Sequence, residues 1–457
     1  MDGTEITGTA TITNTSTGTI QSDSPIIDEA AIKIQDTTGT INISNAGTIT
    51  SKAQGILNKG STIKNLTNTG TLSTTGKGDR FYSKAGIYNA ARSTVTTLNN
   101  NFGATLKGTG SYTSGIYNLD TITSLSNAGT LQGTGSIESS GIYNLGTITT
   151  ITNSGDLAST GTGTDSISKA GLYNAESATV TTITNSGNID GTGSYTSGIH
   201  NLGTISTIIS SGRLRGEGSA NSSGIYNSGN IGTITNSGYI TSINNYGIYN
   251  SGNIGTITHR NSLNGTISST NSHAILNTGT ITKLENSIII SSGAGFFDID
   301  NTLGTITNLY NNQGAATSDP LTLTGNLPTN YFVTIDSTTD YGQLSVTSGS
   351  GNINFGITEG SVIGVPTTNY TAYSSAATLN PAASTPYKIE AIGTDITVIA
   401  DNDWTVTGPL HNILVEDAEN FNLTINAGIT AKNEKGSIAG ATYESVLSGV
   451  SASQIAS

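Results

Sequence analysis

The chain has 457 residues, of which 33% are hydrophobic and only 10% charged, with 58 glycines, 7 prolines and no cysteine. This composition excludes an ordinary large core, disulfides, thiolate metal sites and a cysteine nucleophile, and its wealth of Thr, Ile and Asn favours β-structure over disorder. The net charge of −13 argues against nucleic acid and anionic membrane as partners, since both attract basic surfaces.

The chain opens with Met1-Asp2-Gly3 and runs directly into polar sequence, where no signal peptide is expected, and residues 1–30 are expected to form an N-terminal cap. AAIKIQ at Ala30 starts a first, irregular turn. A phrase then recurs: GILN at Gly55, GIYN at Gly86, Gly115 and Gly141, GLYN at Gly171, GIHN at Gly198, GIYN at Gly224 and Gly247, and AILN at Ala274. The steps are 31, 29, 26, 30, 27, 26, 23 and 27 residues. Short β-type segments repeating at that interval predict one turn of a parallel β-helix per repeat. Residues 31–310 are therefore expected to be an all-β solenoid of about ten turns, on the order of 50 Å long. No apolar run approaches the roughly 18 residues that span a bilayer, the longest candidate being the SIIISSG stretch around Ile288–Ile290.

After each phrase comes a glycine corner, then TIT or TVT, an Ile or Leu, Asn-x-Gly, and a strand with one apolar residue such as Leu131, Leu157 or Ile189. Alternation points the phrase Ile (Ile87, Ile116, Ile142, Ile225, Ile248) and the TIT Ile inward together. Stacked turns then place like over like. The fourth place of the phrase predicts an asparagine ladder of Asn58, Asn89, Asn118, Asn144, Asn174, Asn201, Asn227, Asn250 and Asn277, because a carboxamide offers both donor and acceptor to its neighbours. A second column holds Asn127, Asn153, Asn185 and Asn236, with Ser210 standing in once.

Two further arrays are candidate surfaces. The residue after the phrase Ile forms a column of Tyr88, Tyr117, Tyr143, Tyr173, His200, Tyr226 and Tyr249, with Leu57 and Leu276 in the same place. With Ile inside, this column is expected outside, either as a ladder that shields the backbone or as a binding stripe. The T-x-T pairs are Thr48/Thr50, Thr121/Thr123, Thr147/Thr149, Thr179/Thr181, Thr233/Thr235, Thr256/Thr258, Thr280/Thr282 and Thr305/Thr307. They suit either a soluble outward strand face or an ice-ordering threonine grid.

Chemistry-bearing clusters are sparse. There is no G-x-S-x-G, and His200, His259, His273 and His411 lie in repeat or loop contexts without a serine partner. Asp298 with Asp300 and Asp401 with Asp403 are the candidate carboxylate pairs for sugar cleavage or calcium binding, set against a reading as turn residues. The GTG loops at Gly108, Gly133, Gly161 and Gly191 lack the rest of a phosphate-binding turn. Neither a catalytic set nor a cofactor is expected.

The phrase decays after Gly304-Thr305-Ile306-Thr307, and residues 311–457 read as a C-terminal β region that caps or continues the solenoid, with a loop or linker at 361–387. Three features together resemble the passenger domains of monomeric (type V) autotransporters of Gram-negative bacteria. They are the GIYNxGTITxITNSG repeats, the YFVTIDSTTDYGQLSVTSG segment and the closing ATYESVLSGVSASQIAS. The resemblance implies a right-handed parallel β-helix exported to the cell surface or beyond, with membrane attachment only through a translocator barrel that this sequence does not include. A cysteine-free chain suits export in an unfolded state. The stretch between FGITEG and ATYESVLSGV departs from the family's pattern and is expected to form an inserted subdomain within 361–440. The expected function is that of an adhesin or a self-associating structural protein of aggregates and biofilms, not an enzyme. Its partners would be copies of itself or a host-surface protein or glycan. An ice-binding β-solenoid and a glycan-degrading β-helix are the alternatives.

Overall fold

The computed structural model describes residues 8–26, 28–78, 83–135, 139–161, 169–218, 222–260, 265–337, 339–351, 353–358 and 361–363. Further on it describes the strand segments 369–375, 389–391, 397–400, 404–407, 413–415, 421–426, 432–433 and 436–437. Among the described residues every regular element is a strand. They wind as a parallel β-solenoid of about 12 turns, slightly more than the ten that the phrase alone predicts. The chain divides into two compact units: Met1–Gly255 with Ser262–Leu276 and Ser292–Phe296, and Thr256–Asn261 with Asn277–Ser291 and Phe297–Ser457.

In the first unit each turn supplies one strand to each of three sheets, A, B and C. The turn Thr121–Asn127 (sheet A), Thr130–Thr134 (sheet B), Ile142–Asn144 (sheet C) is typical. Its neighbours stack in register: Ile122 on Ile148, Leu125 on Ile151, Leu131 on Leu157, Ile116 on Ile142. Ile122, Leu125, Leu131 and Ile142 are all 0–1% exposed, so one turn buries four apolar side chains, each worth about 1.5–3 kcal/mol. The core is a narrow prism of aliphatic ladders, which explains why a chain so poor in hydrophobic residues folds at all.

Strict alternation fails at two places in the turn. In the phrase, Gly115 and Ile116 both face inward. A Cβ on Gly115 would sit 2.7 Å from the Gly141 carbonyl oxygen and 2.8 Å from Leu131 Cδ2, so the position takes only glycine. In sheet A, Thr123 and Ser124 both face outward between the buried Ile122 and Leu125.

Strands from the segment expected to be a cap, 1–30, already belong to the stack. Thr9–Asn14 pairs parallel with Thr40–Asn45, and Thr19–Ser22 with Thr48–Ser51. Likewise, in the second unit, Thr280–Asn286, Thr305–Asn311, Asn330–Val333 and Asn354–Ile357 pair in succession, all parallel, although the last two carry no phrase. Stacking requires inward apolar residues such as Tyr331 and Val333, both fully buried, and not the phrase itself. This is why the solenoid outruns its sequence signature at both ends. Farther on, pairing becomes antiparallel between Asn369–Ser375 and Phe421–Asn426 and between Thr397–Ala400 and Trp404–Thr407. That change falls inside 361–440.

Candidate binding faces and the ladders beneath them

The asparagine column forms a directed ladder. Asn58 Nδ2 donates to Asn89 Oδ1 at 2.9 Å, and the links Asn89–Asn118, Asn118–Asn144, Asn144–Asn174, Asn174–Asn201, Asn201–Asn227 and Asn227–Asn250 follow at 2.8 Å each. In the second unit Asn277 donates to Asn301 at 2.8 Å. The same amides also donate to corner carbonyls, as Asn118 does to Asp120 O at 2.9 Å. The ladder starts at Asn58 because Ile34 stands opposite it, leaving Asn58 Oδ1 buried with no donor. The other column is longer than its motif indicates, running Asn14–Asn45–Asn68–Asn100–Asn127–Asn153–Asn185 with links of 2.7–2.9 Å and reaching Ser210 Oγ at 3.2 Å, with Asn236 next in register. Every asparagine of the phrase column is fully buried, so these residues are scaffold and not contact surface.

The aromatic column does stack, with ring centroids 5.1 Å apart for Tyr88–Tyr117 and Tyr117–Tyr143, then 4.6 Å for Tyr143–Tyr173. His200 continues it at 5.2 Å from Tyr173 and 4.3 Å from Tyr226, Tyr226–Tyr249 follows at 4.5 Å, and Tyr246 lies 5.9 Å from Tyr249. An open stripe is not what results. The rings stack face on face, and Tyr143 and Tyr173 pack with Ala170, Ala175 and Ala178, with Leu202 alongside. Tyr143 and Tyr173 are 8% exposed and His200 3%, while Tyr88, Tyr117, Tyr226 and Tyr249 are half-buried. Burial holds the Tyr88 and Tyr226 phenols above their ordinary pKa and pushes the His200 imidazole down to about 3, and His200 Nδ1 has no hydrogen-bond partner. Alternation placed this column outside, whereas Tyr143, Tyr173 and His200 are buried, because alternation carries no information about what packs over a face.

The T-x-T pairs do not fall on one register. Thr48/Thr50 lie on sheet B, Thr121/Thr123, Thr147/Thr149 and Thr179/Thr181 at the start of sheet A strands, and Thr233/Thr235 at the end of one. Three outward columns in sheet A, which take in single members of these pairs, are nevertheless continuous. One is Thr94, Thr121, Thr147, Thr179, Thr204, Asn230. The next is Thr97, Ser124, Thr150, Thr182, Thr207, Thr233, and the last is Asn99, Ser126, Thr152, Thr184, Ile209, Thr235. From Thr94–Asn100 to Asn230–Asn236, six consecutive strands contain no charged residue.

The acid pair Asp298/Asp300 is committed to its own chain. Asp298 Oδ2 accepts from Thr322 N and Oγ1 at 2.8 and 2.9 Å, and Asp300 Oδ1 caps Thr302 N and Oγ1 at 2.9 and 2.6 Å. Asp401, Asp403 and His411 lie outside the described residues. His259 takes the end position of its sheet A strand, with Nε2 3.2 Å from Ile289 O, and His273 meets Phe296 edge to face at 5.1 Å. Among the described residues no group of three His, Asp or Glu converges to hold a metal ion.

Two features escaped the sequence reading. Lys84, buried at the corner before the phrase, donates from Nζ to Pro25 O at 3.2 Å and Lys52 O at 3.0 Å; Thr113 meets the same need for donors with its hydroxyl on Gly76 O at 2.8 Å. The shared SKAG of SKAGIYN and SKAGLYN was the signal. Sheet B, otherwise Thr- and Ser-rich, carries a charged cluster at Asp190, Arg213, Arg215 and Glu217, announced by RLRGE breaking the neutral pattern. Comparison with protein-family models, curated proteins and solved structures returns no match for this chain.

Proposed function

We propose that this chain works by surface contact and not by catalysis, as an adhesive or self-associating solenoid of the autotransporter-passenger kind, acting at or beyond the bacterial cell surface. The observation that carries this reading is the charge-free tract of sheet A in a protein of net charge −13. Bringing such a face against another surface desolvates hydroxyls and amides that find new partners, and no ions. Threonine adds a methyl group to each hydroxyl and is stiff at χ1, so little side-chain entropy is lost on contact. Six strands about 4.8 Å apart and seven residues at about 3.3 Å each give roughly 650 Å² per partner, or about 1,300 Å² in all, within the range of stable protein interfaces.

The test is sedimentation of the purified chain over a concentration series, together with settling of cells that display it. Thr152→Lys with Ile209→Lys places two charges on the tract at exposed positions. The variant should stay dispersed while Thr50→Lys with Gln132→Lys, on sheet B, associates like the parent. Equal association of both variants would remove the tract from the reading, and a parent that neither associates nor settles cells would remove the reading itself. The in-register threonine columns also favour a second function, ice binding. There, thermal hysteresis is the readout, and its absence excludes that function.

A further inference from the structure

The charged cluster on sheet B stands on three adjacent strands, Asn188–Thr192, Arg213–Glu217 and Tyr239–Ser242. Register places Asn188, Arg213 and Tyr239 in one outward column and Asp190, Arg215 and Thr241 in the next. Arg213 grips Asp190 with two bonds, Nε to Oδ1 at 3.1 Å and Nη2 to Oδ2 at 2.6 Å. Arg215 bridges the same carboxylate at 3.3 Å and also bonds Glu217. Tyr239 follows Arg213 in its column and, unlike the phrase tyrosines, is exposed (41%) and outside the aromatic stack.

Stability does not account for this group. Partly exposed ion pairs contribute little, and threonine fills the same columns elsewhere at Thr130, Thr241 and Thr266. The arrangement has three properties of a recognition site. Two carboxylates and two guanidiniums cancel in charge. Each is held by the others, so little side-chain freedom remains to be lost on binding. Beside them lies an aromatic ring that, among the described residues, no other ring covers.

We propose that Tyr239 with Asp190, Arg213, Arg215 and Glu217 forms a binding subsite for a hexopyranose of a glycan. The sugar's apolar C–H face would rest on the Tyr239 ring, and a vicinal pair of hydroxyls would meet the fixed guanidinium donors and carboxylate acceptors. Fixed donors and acceptors set at one spacing discriminate among sugars, because a hydroxyl of the wrong configuration leaves a polar group unpaired. The site lies on a different sheet from the charge-free tract and is independent of it.

The experiment is saturation-transfer NMR of the full chain against a panel of methyl hexopyranosides and of short oligosaccharides built from them. At least one sugar should receive saturation, with a gain in affinity for the oligosaccharide if the natural ligand is a chain and equal affinity if one residue is read alone. Tyr239→Thr and Arg215→Thr reproduce residues already present in those columns and should keep the melting profile while weakening binding at least about tenfold. Sugar binding that survives both substitutions, or silence across the panel to the solubility limit, overturns the assignment. Cell settling unchanged by Tyr239→Thr would show that the two surfaces act separately, whatever becomes of the self-contact reading.

Discussion

Asn144 Nδ2 donates to Asn174 Oδ1 at 2.8 Å, joining residues thirty positions apart in the chain across a single turn of the solenoid. The same nitrogen lies 3.1 Å from Gly146 O in its own corner and 3.3 Å from Thr179 O in the next. One side chain therefore fixes the local corner, the spacing to the following turn and the register. Replacing Asn144 by Ala leaves the Asn118 amide, the Asn174 carbonyl and two backbone carbonyls short of partners in a dry interior. The expected cost is on the order of 1–3 kcal/mol, read as a lowered urea midpoint. No change in midpoint would mean that water replaces the amide and that the ladder is not structural.

Gly115→Ala should be comparably harmful for a different reason. The added methyl meets the Gly141 carbonyl and the Leu131 side chain at under 3 Å, and neither can retreat without disturbing the next turn. Overpacking of this kind costs about 1–3 kcal/mol. The control is Gly103→Ala, where the added carbon touches nothing, so its effect is confined to the positive φ of 77°. If the two variants lose equal stability, crowding is not what reserves position 115 for glycine.

The contrast between these two positions shows what the sequence made legible. Recurring Ile142-type and Asn144-type residues reported the ladders because stacking turns turns a sequence repeat into a spatial one. The same logic located the second asparagine column but missed its early members Asn14, Asn45, Asn68 and Asn100, although Asn45-Ala46-Gly47 and Asn68-Thr69-Gly70 carry the same Asn-x-Gly. The burial of Tyr143 and Tyr173 was not legible, since alternation tells which side a residue faces and says nothing of corner residues such as Ala175 folding against it. Nor was the Asp190–Arg213 pair, which depends on the register of two strands 23 residues apart. The threonine columns were half legible: the residue type was plain, but the double outward step at Thr123-Ser124 shifted which threonines line up.

His200 makes the fold acid-sensitive at one identifiable point. Burial between Tyr173 and Tyr226 lowers its pKa from the usual 6.5 to about 3. The unfolded chain thus takes up the proton first as pH falls. The stability held by the neutral imidazole is complete above about pH 6.5 and is lost progressively on the way down to about pH 3. Between pH 6.5 and 4.5 this group alone should cost on the order of 2–3 kcal/mol. His200→Tyr restores the residue that fills most of the column and removes the titration, so its melting temperature should fall less than the parent's over that interval. Parallel pH profiles for the two proteins would mean that His200 is hydrated when protonated and carries no switch.

The last expectation concerns the tyrosines themselves. Tyr143 stacks between Tyr117 and Tyr173 and packs with alanines, whereas Tyr88, the first ring of the column, stacks on Tyr117 and has Leu57 in the other place. Tyr143→Ala should therefore cost about 3–5 kcal/mol, as a buried aromatic truncation does, and Tyr88→Ala less by roughly the 0.5–1.5 kcal/mol of one stacked pair together with the smaller burial. Because the stack consumes the ring faces, neither substitution is expected to alter association or cell settling once compared at equal distance below the melting temperature. Association lost in Tyr88→Ala, with the fold intact by circular dichroism, would show that the exposed edge of the column is itself a contact surface. That result would move the adhesive face from sheet A to sheet C.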